Sequence, residues 1–224
     1  MTTIFDPPTT RATAWQRLRL LQFESEWSLG RFRLAAVGQA NIWALLTSLT
    51  DGVRSHSQRI HVALPFDPAM TLPSADELLV SAYAISQNPL LTSLYPHALV
   101  APVPGELALF DHRYVALAGS PTPSGAPTLW VSHDPETAVL AEQVWQDARA
   151  AAQSPRCGSY LSERQLAVAR LMATGETTRR ISRELGYSER TVERELESIT
   201  AFLGAPSRTA AIAAMMGSKL GRTA

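Results

Sequence analysis

Between Ser162 and Gly204 the chain carries helix starts and stops spaced closely enough to fix most of its local structure. Ser162 with Gln165 three residues on is a capping box, and Leu161 can staple onto Leu166, so a helix is predicted from Glu163. Gly175 ends it. Thr177 then caps a second helix and Gly186 stops it, while Ser188 caps a third. Ile181 and Leu185 of the second helix face a core, and in the third Val192, Leu196, Ile199 and Leu203 recur at spacings of four, three and four. A second helix closed by glycine, a short turn and a third helix with one buried stripe make a helix-turn-helix.

Only the major groove of duplex DNA admits a helix and presents a distinct pattern for each base pair, so the third helix is predicted to be the reading element. Its outward residues are Ser188, Arg190, Thr191, Glu193, Arg194 and Glu197. Arg190 and Arg194 lie four apart and can reach guanine edges or phosphates, while a glutamate can accept from cytosine N4. Arg190 and Glu193 can equally pair with each other on a solvated face. Glu189, Glu193, Glu195 and Glu197 together place four carboxylates there, which oppose phosphate. Phosphate anchoring then falls to Thr177, Thr178 and Arg179 at the start of the second helix, where amides and dipole favour an anion, with Arg208 a further candidate.

Residues 161–212 resemble the DNA-binding domain of the LuxR family. The matching residues run through Leu161, Ser162, Arg164, Val168, Leu171, Ala173 and Gly175, then Thr177, Ile181, Leu185, Ser188, Thr191, Val192, Leu196 and Ile199, and end on Leu203, Gly204, Arg208, Ala211 and Ile212. The resemblance implies a four-helix domain, double-stranded DNA as partner, and a homodimer formed through the last helix, here about Ser207 to Met216. Ala210, Ala211, Ala213 and Ala214 are small enough for close helix approach, and an alanine-rich core helix would read the same. Where the family commonly has Lys and His after the Thr-Val pair, this chain has Glu193 and Glu195.

The small, Pro/Gly-punctuated stretch Ala151 to Gly158 divides the chain into residues 1–150, an α/β sensory or oligomerisation domain, a linker at 151–158, and the helix-turn-helix domain at 159–224. The expected fold class is thus an α/β N-terminal domain plus an all-α C-terminal helix-turn-helix domain. In the N-terminal part, Arg11 to Trp27 reads as a helix and Arg31 to Val37 as a strand, and Ile42, Leu45, Leu46 and Leu49 recur at helical spacing. Ile60, Val62 and Leu64 alternate as in a strand with one buried face, and Ser74 with Glu77 predicts a capped helix. Strand patterns follow in ALVAPV, ELALF, RYVALA and TLWVS, and Asp134-Pro135 starts a helix with Leu140, Ala141, Val144 and Ala148 on one face. Asp111, His112 and Arg113 read as a solvated hairpin turn or as a polar patch of an effector pocket.

The stretch from Leu94 to Ala148, with FDHR at 110–113, VALAGS, TLWVS and Val144-Trp145, resembles the phospholipase D-like effector domain of TrmB-like regulators. Catalysis in that superfamily needs a histidine two residues before a lysine, and the only lysine here is Lys219, so the resemblance implies a sensing or scaffolding role. A small-molecule effector is an expected partner.

Other chemistries find little support. Twenty basic and twenty acidic residues cancel, though the 66 residues from Ser159 carry ten basic against seven acidic. The histidines at 56, 61, 97, 112 and 133 show no metal-ligand spacing, no phosphate loop or nucleophile with a base is readable, and neither enzyme activity nor a metal or cofactor is expected. One cysteine, Cys157, no apolar run of membrane length and no signal-like start predict a cytoplasmic protein without membrane contact. The other reading is an interaction protein that keeps the helix-turn-helix fold with weakened DNA affinity.

Overall fold

The computed structural model describes residues 13–52, 56–62, 68, 77–155 and 160–217. Within them an α/β region precedes an all-helical one, which agrees with the predicted fold class. The α/β region runs α1 (Ala14–Trp27), β1 (Arg33–Val37), α2 (Gln39–Asp51), β2 (Ser57–His61), β3 (Glu77–Val80), α3 (Ala82–Gln87), α4 (Leu91–Leu94), β4 (Leu99–Val100), β5 (Leu107–Phe110), β6 (Tyr114–Ala118), β7 (Thr128–Ser132) and α5 (Pro135–Ala150). Its strands form a sheet in the order β1-β7-β6-β5-β2-β3-β4 among the described residues. Pairings β2–β3 and β3–β4 are parallel and the others antiparallel.

Helices α1 and α5 cover one face, where Leu18, Ile60, Leu107, Leu109, Val115 and Leu117 pack with Leu140, Ala141, Val144 and Trp145. Both helices begin as their sequences direct. Thr13 and Gln16 form a capping box on α1, and the Asp134 side chain accepts the N–H groups of Glu136 and Thr137 with Pro135 in the first turn of α5. On the other face α2 lies over Ala36, Ala108, Phe110, Ala116 and Leu129, and it buries Leu46 fully.

Two N-terminal expectations are corrected. The alternation of Ile60, Val62 and Leu64 predicted a strand with one buried face, yet β2 ends at His61 and all five of its residues are buried. It lies between β5 and β3 with helices on both sides, so neither face meets water. Glu77 does not complete a helix cap. It opens β3, which pairs in parallel with β2 and β4, and the run Leu78, Leu79, Val80 is buried throughout. The helix begins instead at Ala82, where the Ser81 hydroxyl accepts the Ala84 N–H. Ser74 and Leu64 lie outside the described residues.

Asp111 and His112 adopt φ of 50° and 53°, a left-handed pair in the three-residue loop 111–113 between β5 and β6, where the Arg113 N–H donates to the Phe110 carbonyl oxygen at 3.0 Å. Asp111 also accepts the His56 N–H at 3.1 Å, and His112 meets Glu142 at 3.0 Å. Gln153, inside the stretch read as a linker, exchanges backbone hydrogen bonds of 2.8 Å with Val100 at the β4 edge.

The helical region comprises α6 (Glu163–Ala173), α7 (Thr178–Leu185), α8 (Glu189–Phe202) and α9 (Arg208–Met215). The caps read from its sequence are made, Ser162 with Gln165 on α6, Thr177 on α7 and Ser188 on α8, and Ser207 caps α9 as well. Gly186 closes α7 in the left-handed region at φ 71°. The core joins Val168, Ala169, Met172, Ile181, Val192, Leu196, Ile199, Ala211 and Met215, and it takes in one residue from far upstream, Leu90.

Candidate nucleic-acid interface

A helix turns about 100° per residue, so Val192, Glu195, Leu196 and Ile199 occupy one arc of α8 and Arg190, Glu193, Arg194 and Glu197 the opposite one. The packing follows this division. Val192, Leu196 and Ile199 sink into the core, while Arg190, Glu193, Arg194 and Glu197 are exposed. With Ser188 and Thr191 these four line a single concavity on the protein surface. Six of the ten residues predicted to meet DNA are therefore brought together on one helix face.

Arg190 and Glu193 form no ion pair with each other or with any other described residue. Both stay on the surface with their polar atoms available. Arg194 is 72% exposed and approaches Glu195 at 3.5 Å. The face carries two positive and two negative charges, so it offers a pattern of donors and acceptors and little net attraction to phosphate.

Glu195 departs from the expectation. It is 8% exposed and faces α6, with its carboxylate 3.8 Å from Arg164, whose guanidinium lies over the Tyr187 ring at 5.1 Å. Beside it Gln165 donates to the Ser198 hydroxyl at 3.0 Å. Glu195 is a strut between α6 and α8, and three of the four carboxylates counted against phosphate remain on the exposed surface. This strut was missed, although Glu195 stands three residues after Val192 and four before Ile199, inside the buried stripe.

The remaining predicted residues surround the start of α7. The Thr177 hydroxyl accepts the Arg180 N–H at 3.3 Å, and Thr178 and Arg179 occupy the first turn with Arg179 exposed. Glu176, just before the cap, pairs with Arg180 at 3.0 Å. Arg208 reaches across from α9 and donates to the Glu176 carbonyl oxygen. Its guanidinium thus fixes the turn that presents Thr177 to Arg179.

No curated protein sequence matches the chain. Among solved structures it is similar to NucT from Helicobacter pylori, with a TM-score of 0.41 and 14% identity over 55% of this chain and 99% of that one. The archaeal chromatin protein TrmBL2 gives a TM-score of 0.37 and 9% identity over 62% of both chains. For SdiA from Escherichia coli the TM-score is 0.28 with 20% identity, and the match spans 47% of this chain and about half of SdiA, 51%. Residues 159–215 match the family described as bacterial regulatory proteins, luxR family, and the four-helix region is therefore a LuxR-type domain.

Proposed function

We propose that this protein is a cytoplasmic transcription regulator that binds double-stranded DNA as a homodimer. In this reading α8 lies in the major groove with Ser188, Arg190, Thr191, Glu193, Arg194 and Glu197 toward base edges and phosphates, while Thr177, Thr178 and Arg179 hold the backbone and Arg208 braces them. Residues 1–150 are the sensory or dimer-forming part, 151–158 joins them to 159–224, and the role is binding rather than catalysis. The observation that carries the reading is the exposed, mixed-charge face of α8 within a LuxR-type domain.

The dimer draws support from a second feature. Leu20, Phe23 and Trp27 are 57%, 54% and 79% exposed and follow one another along α1 beside the sheet edge at β1, where Leu34 is also exposed. A row of large apolar side chains at helical spacing is what one copy would present to a two-fold mate.

The test is selection of duplexes from a random pool by the intact protein, followed by titration of selected and scrambled duplexes over a salt series. A selected inverted repeat bound at least tenfold more tightly than its scramble at physiological salt is the expected result. Equal affinity for both at every salt overturns it. It would favour the interaction-protein reading, for which Glu193 and Glu197 on the outward face are the supporting observation.

A further inference from the structure

Arg59 stands in the middle of β2 and is 1% exposed. Its Nη2 donates to the Thr50 hydroxyl of α2, but among the described residues Nε and Nη1 have no partner and the guanidinium forms no ion pair. Taking a guanidinium out of water without a counter-charge is strongly unfavourable, so buried charges are ordinarily paired. Burial draws its pKa down to about 10 against an opposing effect of Tyr95, so the group remains a cation at neutral pH.

The surroundings are apolar and built small. On the sheet Arg59 is flanked by Ala108 of β5, and Ala116 of β6 comes next in line. The Phe110 ring lies 5.6 Å from its guanidinium. Trp43 of α2 packs against the apolar clusters on both sides, and its buried indole Nε1–H also lacks a partner among the described residues. Above them Leu46 is the buried residue of α2, while Ile42, Trp43, Leu45 and Leu49 are half-buried and pack against the sheet.

We propose that Arg59, held between α2 and the sheet, is the anchoring group of an effector site in the N-terminal region, and that this site takes a small monocarboxylate with an aromatic or apolar body. One carboxylate neutralises one guanidinium and accepts from its orphan N–H groups. A phosphate dianion would leave a net negative charge in the same apolar surroundings. The rings of Phe110 and Trp43 suit a planar body. The proposal rests on the reading of residues 1–150 as the sensory part, but its test needs no DNA, so it can fail or succeed independently of α8.

The experiment is thermal unfolding of the full chain without DNA, with sodium benzoate, phenylacetate or hexanoate at matched ionic strength, and with benzamide and inorganic phosphate as arms of equal concentration. At least one carboxylate should raise Tm, by roughly 5–10 °C at about a hundredfold excess over its Kd, while benzamide and phosphate do not. Arg59→Met should abolish that response and melt no lower than the parent without ligand, because it removes an unpaired buried charge. Trp43→Phe should weaken the response while keeping the fold. The proposal is overturned if none of the three carboxylates shifts Tm, if benzamide or phosphate acts equally, or if Arg59→Met lowers the ligand-free Tm and leaves the carboxylate response intact.

Discussion

The Ser93 hydroxyl accepts the backbone N–H of Leu161 at 3.0 Å, tying the threshold of the helix-turn-helix to α4 of the α/β region. The adjacent pair on that segment faces two ways: Leu90 is wholly buried in the core of α6 to α9, and Leu91 in the cluster of Leu78, Val80, Ala84 and Ala98. Leu90→Ala should therefore cost about 2–5 kcal/mol, the range for deleting a buried leucine side chain. The loss is expected in the helical region, read as faster amide hydrogen exchange at Ile181, Val192 and Ile199. Unchanged exchange there would place the Leu90 contact outside the cooperative unit of α6 to α9.

Glu195 and Glu193 are neighbours of the same charge with opposite expected behaviour. Glu195→Ala removes the buried carboxylate 3.8 Å from the half-exposed Arg164 guanidinium, and loss of this ion pair should cost up to about 1 kcal/mol with little change in the salt dependence of DNA binding. Glu193→Lys lies on the exposed arc and should leave the melting temperature near that of the parent. It should steepen the salt slope by about one unit per copy, since a repelling carboxylate becomes a phosphate-neutralising cation. Chemical denaturation and salt titration of both variants separate the two.

The contrast shows where sequence reasoning reaches. Caps and stops act within four residues, which is why Ser162, Thr177, Ser188 and Gly186 could be placed before any fold was known. Glu195 was legible too, from its spacing to Val192 and Ile199, but its charge outweighed its position. The segment around Glu77 misled for a physical reason: a strand buried on both faces has no period of two, and the polar residue before it imitates a cap. Arg59 and Leu90 left no local mark. One is buried because its strand is central, and the other joins a core whose next member in sequence is Leu161.

The exposed row on α1 gives a prediction about assembly. Trp27→Ser together with Leu20→Ser removes two of its large side chains from positions that the fold leaves in contact with solvent, so the monomer should retain its stability. If the row is a contact between copies, sedimentation velocity should show the double variant shifted toward monomer at concentrations where the parent is dimeric. A parent that dimerises equally well with both substitutions would move the contact elsewhere, with α9 the next surface to test.

Arg194 offers the sharpest test of how α8 meets its target. Its side chain is 72% exposed on the arc opposite Val192, and its ion pair with the neighbouring Glu195, at 3.5 Å, is open to solvent on the arginine side and is worth little. Arg194→Ala should consequently leave the fold intact. If the guanidinium reads a guanine edge, the substitution costs about 1–3 kcal/mol at one base pair of each half-site and relaxes preference there alone. If it holds a phosphate, affinity falls for all sequences alike and the salt slope drops by about one unit per copy. Arg190→Ala, one helical turn earlier on the same arc, provides the matched comparison, because Arg190 has no ion-pair partner among the described residues. Binding curves against a set of single-base operator variants decide between the two roles. If neither substitution changes affinity, preference or slope, α8 does not lie in the groove.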